Sequence, residues 1–417
     1  MTSVMTERVV RKLNVLVRGL FLGLMATFPT LAQNNPDSCT PHDWFLLKEQ
    51  VAAGRTSLLC KGVIDASLER RVAAEHKLNA VVLKMPHSAS SSDALEALAN
   101  MYFREGRYRE ALTKLDQGLV EKPDAEDMKA AHSLFAVLAQ YPDLIVVSSR
   151  PSTLHSETIE NNLFLPVTAN GVLGTYIMDS GANLSAMCES EARRLGLRVR
   201  ETTSKMYDIS GTPSEIRVTE VPDLWIGKTH LKHVAFSVYP DASEPFVDLP
   251  EGHKGALGIQ VLIALRALRI DKDNRVDIQV VSAASGKVIP LAFDGLLPVT
   301  QMSLNGKTLS FTFDTGATHT VLYPPFAAAF PELTRTGSEQ SHTLTGLSGS
   351  TVQESVALPS VRFSFGKDVE LAPATVLLKN TTGASKWAAG NLGFDLIAQT
   401  LPITIDFRAM QLRFEDR

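Results

Sequence analysis

The strongest constraint on what this chain can fold into is a repeat. The stretch Tyr176-Ile177-Met178-Asp179-Ser180-Gly181-Ala182 returns as Phe311-Thr312-Phe313-Asp314-Thr315-Gly316-Ala317. Each copy is an apolar run of strand character that ends in an acid and a Ser/Thr-Gly turn. Glycine suits such a turn because it tolerates positive φ and lets other backbone come close. The adjoining hydroxyl can bond local or facing backbone and stiffen the loop. Taken singly, Asp-Ser/Thr-Gly also spells an ordinary surface turn. The surroundings repeat as well. Gly258, in Gly255-Ala256-Leu257-Gly258-Ile259-Gln260, lies 79 positions after Asp179; Gly393, in Gly390-Asn391-Leu392-Gly393-Phe394-Asp395, lies 79 after Asp314. Asp271 and Asp406, each preceded by Ile, fall 92 positions after the same two acids. Leu165-Pro166-Val167-Thr168 recurs as Leu297-Pro298-Val299-Thr300. A domain-sized unit has been duplicated.

With 417 residues, the chain has room for a third region besides the two copies. Its net charge of −4, with 21% charged and 44% hydrophobic residues, is that of an ordinary globular protein, and no basic cluster points to a nucleic-acid partner. Arg8, Arg11, Lys12 and Arg18 precede an apolar run from Gly19 to Phe28, followed by Pro29-Thr30-Leu31-Ala32. Such a start reads as a signal peptide over 1–32, cleaved after Ala32, and hence as a periplasmic or secreted protein. The run is shorter than the roughly 20 residues that span a bilayer. In an exported chain Cys39 and Cys60 could form a disulfide, or all three cysteines could be buried thiols, with Cys188 packed in a core. Their spacing fits no zinc pattern, and no cofactor is implied.

Residues 33–146 read as helical. The segment from Asp93 to Pro123 fits one tetratricopeptide-like helix hairpin, with Leu95, Leu98, Ala99 and Tyr102 on one face and Ala111, Leu115 and Gly118 on the next. Flanking helices near Leu46–Ala53, Leu68–Leu83 and Lys129–Ala139 are needed to cover it. This module could hold a protein partner or cap the region that follows. Polar residues 147–160 read as a linker, and 283–290 as a second one, leaving lobes at 161–282 and 291–417.

Each lobe offers the same parts in the same order. A strand pair enters the Asp loop; a short helix follows, Glu189–Leu195 closed by Gly196 in one lobe and Pro324–Phe330 in the other. Next comes a glycine hairpin containing Tyr207, Ser210 and Gly211 in the first lobe and Ser348 and Gly349 in the second. The apolar-Gly segment and a closing Ile-Asp strand complete the unit. Asp271 and Asp406 suit hairpin roles, and His319 suits an exposed position. No Gly-x-Ser-x-Gly, His-Glu-x-x-His or phosphate-cradling loop is present.

This set of motifs resembles the retropepsin-like aspartic peptidases, over about 160–282 and 290–415. The resemblance implies two all-β acid-protease lobes fused into a pseudo-dimer, as in pepsin, behind an N-terminal α-helical region. It implies an aspartic endopeptidase with Asp179 and Asp314 as a catalytic dyad acting on peptide or protein substrates. Ser180 and Thr315 would lock the two loops, Gly181 and Gly316 would let them close, and Gly258 and Gly393 would pack behind. The hairpins would act as flaps over an extended peptide, with Tyr207 in the position of a flap tyrosine. A single chain would suffice, although lobes could also pair between chains. Ala182 and Ala317 stand where pepsin-like enzymes carry a hydroxyl, which shifts the expected activity toward mildly acidic or neutral pH. The alternative is a non-catalytic peptide-binding or scaffold protein that keeps the cleft and the helical module.

Overall fold

A computed structural model describes residues 44–207, 213–280, 285–346, 349–379 and 387–415. The expected signal segment, Cys39, Ser210, Gly211 and Ser348 lie outside the described residues.

The architecture is a helical region followed by two β-rich lobes. Helices α1 (Trp44–Ala52), α2 (Leu58–Ser67), α3 (Arg71–Lys84), α4 (Ala89–Arg104), α5 (Tyr108–Glu121) and α6 (Glu126–Leu138) form the first part. Ser57 caps α2 by accepting from Cys60 N, and Ser88 caps α4 by accepting from Ser91 N. The hairpin expected over 93–123 is α4–α5, turned at Gly106 with φ +72°. Small residues let its helices approach: Ala94, Ala99 and Ala111 are fully buried, and a Cβ at Gly118 would strike the Met128 side chain. Phe103 and Phe135 stack with centroids 4.4 Å apart, tying α4 to α6. The helix expected over Leu68–Leu83 starts at Arg71, with α2 as a separate helix before it. Glu69 breaks the two at φ 54°, and no glycine or proline marks that break in the sequence.

The expected linker at 147–160 is strand instead. Ile145–Ser148 pairs with Thr229–Tyr239 in the first lobe, Ser152–His155 with Arg275–Ile278, and Glu157–Ile159 with Asn162–Ala169. Polar content misled there: edge strands with one solvent face alternate polar and apolar residues, as Ser152-Thr153-Leu154-His155 does with only Leu154 buried. The second seam, 283–290, is already strand from Lys287, in Lys287–Asp294.

The two lobes share a frame. In the first, the strand Val172–Met178 runs between Asn162–Ala169, antiparallel, and Gly255–Leu257, parallel. In the second, Lys307–Phe313 runs between Leu297–Leu304, antiparallel, and Gly390–Leu392, parallel. The lobes are bridged by an antiparallel run ordered Lys287–Asp294, Gln411–Phe414, Ile403–Asp406, Ala267–Ile270, Arg275–Ile278, Ser152–His155. Three strands of the second copy, two of the first and Ser152–His155 at the edge follow one another in this run, so neither lobe completes it alone. Asp271 and Asp406 sit at its hairpins: Asp406 accepts from Arg408 N and Ala409 N, and Asp271 from Lys272 N and Arg269.

The helical region packs on both lobes. Tyr108 donates its hydroxyl to Gln260 Oε1 (2.8 Å), and Gln260 Nε2 donates to Phe103 O (2.6 Å). On the other lobe, Arg104 donates to Gly295 O and lies over the Phe293 ring at 4.4 Å, while Glu69 pairs with it at 2.7 Å. Arg104 is buried, so its pairing offsets a desolvation cost that an unpaired guanidinium could not bear.

Candidate active site

Both Asp loops leave their strands in the same way. Asp179 N donates to Leu257 O and Asp314 N to Leu392 O, each at 3.0 Å, so the apolar-Gly strand anchors the acid's own backbone. The chain then turns back on the carboxyl. Asp179 Oδ1 accepts from Gly181 N and Ala182 N, both at 3.0 Å; Asp314 Oδ1 accepts from Gly316 N (3.0 Å) and Ala317 N (3.1 Å). A carboxylate held by two N–H groups has its free oxygen aimed away from its own loop.

The loops are locked across the lobe boundary by a reciprocal set of four bonds. Ser180 Oγ donates to Phe313 O (2.8 Å) and accepts from Thr315 N (3.0 Å). Thr315 Oγ1 donates to Met178 O (2.7 Å) and accepts from Ser180 N (3.0 Å). Both hydroxyls are buried, and each donates one bond and accepts one. The lock sets each carboxyl against the glycine of the opposite loop, close enough for the two acids to act on one another's protonation. It also explains the glycines: a Cβ at Gly181 would overlap the Asp314 carboxyl, and one at Gly316 the Asp179 carboxyl.

Behind the loops, Gly258 and Gly393 allow close backbone contact. A Cβ at Gly258 would meet the Leu184 carbonyl, and one at Gly393 the carbonyls of Ala317 and His319. Ile259 N and Phe394 N donate to Ala182 O and Ala317 O, at 2.9 and 2.8 Å. Ser185 and Thr320, six positions beyond each acid, accept from Gly258 N and Gly393 N at 3.0 and 2.9 Å. These two hydroxyls were not among the residues picked out from sequence, although superposing the copies makes their equivalence visible.

Electrostatics separate the two acids. Burial pushes the Asp179 carboxyl up to about 8, the Asp314 charge adds to this, and the N–H groups of Ala182 and Gly181 oppose it. Burial also raises Asp314, but there the strongest opposing contribution is the side chain of Asn391, followed by the N–H groups of Gly316 and Ala317. Asn391 Nδ2 donates to Asp314 Oδ2 at 2.8 Å. Two acids in contact share protons and titrate as a pair. Nearby, burial and the Asp314 charge keep the Tyr323 phenol protonated far above its ordinary range.

The hairpins are described in part. Tyr207 ends the strand Arg200–Tyr207, paired through Pro213 with Pro213–Ile226. In the second lobe Gly349 faces Gly346 across the hairpin of Ser338–Gly346 and Gly349–Leu358, and the hydroxyls of Thr345 and Ser350 bond at 2.9 Å. His319 is exposed, beside Thr318 Oγ1. Cys188 is buried, with its sulfur 3.1 Å from Ser190 Oγ. Cys60 is buried on α2, and its expected partner Cys39 falls outside the described residues.

The aspartyl protease family model matches this chain twice, over residues 165–261 and 300–396. Each match spans an Asp loop and the apolar-Gly segment behind it. No curated protein matches this sequence. Among solved structures, a retropepsin-like aspartic protease from Rickettsia conorii is similar, with 18% identity, 33% of this chain and 92% of that one covered, and a TM-score of 0.23. Basic 7S globulin from soybean gives 11% identity, 65% and 97% coverage, and a TM-score of 0.35. The aspartic proteinase from Irpex lacteus gives 9%, 63% and 96%, and 0.40.

Proposed function

We propose, from the premise that the two lobes are tandem units of the aspartyl protease family, that this protein is an aspartic endopeptidase whose dyad is Asp179 and Asp314. The observation that supports this reading is the reciprocal Ser180–Thr315 lock, together with the packing of each carboxyl on the opposite loop's glycine. Two carboxyls packed on one another's loops cannot both ionise readily, so near neutral pH the pair would keep one proton and one charge. Such a pair supplies base and acid together. The charged member takes a proton from a water, the water oxygen bonds to the peptide carbonyl carbon, and the protonated member stabilises the developing oxyanion. Collapse of the tetrahedral intermediate breaks the C–N bond as a proton passes to the leaving nitrogen. The hairpin Ser338–Gly346 and Gly349–Leu358, with its counterpart after Tyr207, would cover an extended peptide and exclude water.

The dyad's environment supports activity in mildly acidic to neutral solution, since an acid pushed up to about 8 keeps its proton well above the ordinary carboxyl range. Export to the periplasm or outside the cell belongs to the same proposal and rests on the basic-then-apolar start of the chain.

Digestion of a peptide library by the wild type, Asp179→Asn and Asp314→Asn tests the reading. The wild type should cut, and the same cleavages should vanish in both variants. Cleavage that survives both changes, or saturable peptide binding with no cleavage by any form, overturns it.

A further inference from the structure

The two Asp loops share every main-chain bond, yet the strands that flank them do not carry the same side chains. In the first lobe, Ile177 and Ala256 are register partners across the parallel pair that ends at Asp179. In the second lobe the same two places hold Thr312 and Asn391. An apolar pair in one lobe is a polar pair in the other, and the polar pair is buried at the dyad.

Its bonds form a short chain. Thr312 Oγ1 donates to Asn391 Oδ1 at 2.5 Å, with Gly390 O at 3.3 Å as a second acceptor; Asn391 Nδ2 donates to Asp314 Oδ2 at 2.8 Å. Both oxygens of Asp314 thus have donors, two backbone N–H groups on Oδ1 and an amide on Oδ2. Among the described residues Asp179 has two backbone donors, both on Oδ1, and Ala256 has no side-chain donor in the place of Asn391. A hydrogen bond to an ionised acceptor is roughly twice as strong as a neutral one, so the extra donor favours the charged form of the acid it touches.

We propose that Asn391, oriented by Thr312, is a positioning residue that sets the polarity of the pair: Asp314 carries the charge and Asp179 carries the proton. Resting on the peptidase reading above, this assigns the roles left open there. Asp314 takes the proton of the attacking water, Asp179 gives its proton to the carbonyl oxygen, and on collapse Asp314 passes its proton to the leaving nitrogen while Asp179 regains one from the gem-diol. With the opposite polarity the protonated Asp314 keeps a lone pair on Oδ2 for Asn391 Nδ2 but accepts it as a neutral group. That arrangement exchanges a charge-assisted bond for a neutral one while leaving the proton-poor Asp179 with the fewer donors. Among the described residues, the titratable groups coupled to the pair are the two acids themselves and Tyr323, which is neutral throughout the working range.

The test follows both acids without relying on turnover, by carboxyl ¹³C titration of the intact protein alongside the pH dependence of kcat/KM. In the wild type Asp314 should titrate as the lower member and Asp179 as the higher. In Asn391→Ala the lower step, and with it the acid limb of kcat/KM, should rise by about one to two pH units, the loss of one charge-assisted bond. Thr312→Val, which frees the amide without removing it, should move the same limb in the same direction by less. The transplant Ile177→Thr with Ala256→Asn should move the opposite, basic limb downward. A role confined to packing would leave both limbs in place. Asp314 titrating as the higher member, or a lower step unmoved in Asn391→Ala, overturns the proposal; if that variant does not fold, the Thr312→Val and transplant titrations decide in the same terms. A wild type that shows the expected carboxyl order but cuts nothing would sink the peptidase reading and leave the polarity standing.

Discussion

The first lobe and the second build their loops from the same bonds and then use the flanking positions differently. Asp179 and Asp314 each donate their backbone N–H to the apolar-Gly strand and accept two N–H bonds from their own turn, and Ser180 and Thr315 trade bonds across the boundary with matching distances. Two positions after each structural glycine, however, Gln260 and Asp395 diverge. Asp395 accepts from Thr320 N and Thr320 Oγ1 and so braces its own lobe's loop. Gln260 instead holds Tyr108 and Phe103 of the helical region. Together with Ile177/Ala256 against Thr312/Asn391, these pairs show that duplication preserved what needs symmetry, the lock, and released what does not. One copy gained a donor for its acid, and the other gained a contact that anchors the helices.

The comparison breaks most visibly at the acids. Asp179→Asn and Asp314→Asn should each lower kcat by about 10⁴-fold, the upper range for acid–base groups, and by similar factors, because neither lobe supplies a working half. A loss confined to one of them in steady-state assays would mean that the lobes are not equivalent partners. Next are the glycines. Gly181→Ala and Gly316→Ala each drive a methyl into the opposite carboxyl, and a displacement of that order should cost about 10²-fold in kcat/KM with the fold retained by circular dichroism.

Stability separates the lobes more gently. Asp395→Ala leaves the Thr320 N–H and hydroxyl without their charged acceptor and should lower unfolding free energy by about 1.5–3 kcal/mol in denaturant titration. Gln260→Ala should cost about 1–2 kcal/mol and act first on the helical region, with raised hydrogen exchange in α4 and α5. A further difference is read against pH. Asp179 holds its proton up to about 8 in the folded chain against an ordinary value of 3.8. The folded state therefore binds more protons than the unfolded one between those values. Its contribution to stability is complete below the window and declines as pH rises through it. Melting temperature measured across that window should fall for the wild type and fall less for Asp179→Asn.

Much of this was legible because duplication converts weak local signals into strong ones. The Asp loops, the exposed His319 and the buried Cys188 could be read from residue type and spacing, and the closeness of the loops at Gly181 and Gly316 from the family resemblance. What escaped the reading depends on pairing between distant segments. Residues 147–160 look like a linker until Arg275–Ile278 and Thr229–Tyr239 come alongside, because a polar edge strand gains its identity from its neighbour. Ser185 and Thr320 look like any strand-entry hydroxyl until the glycine N–H groups arrive from 73 positions away. Asn391 is the clearest case. Its amide lies 77 positions from Asp314, and only the contrast with Ala256 sets it apart from a turn residue.

The central claim is that one chain brings its own two acids together, and subunit mixing tests it most directly. Asp179→Asn and Asp314→Asn proteins are combined in equal amounts, unfolded and refolded together, and assayed on a peptide that the wild type cuts. The account predicts that the mixture is as inactive as either variant alone, since every refolded chain still lacks one acid. Recovery of a substantial fraction of wild-type activity would show that the working pair forms between chains and would contradict it.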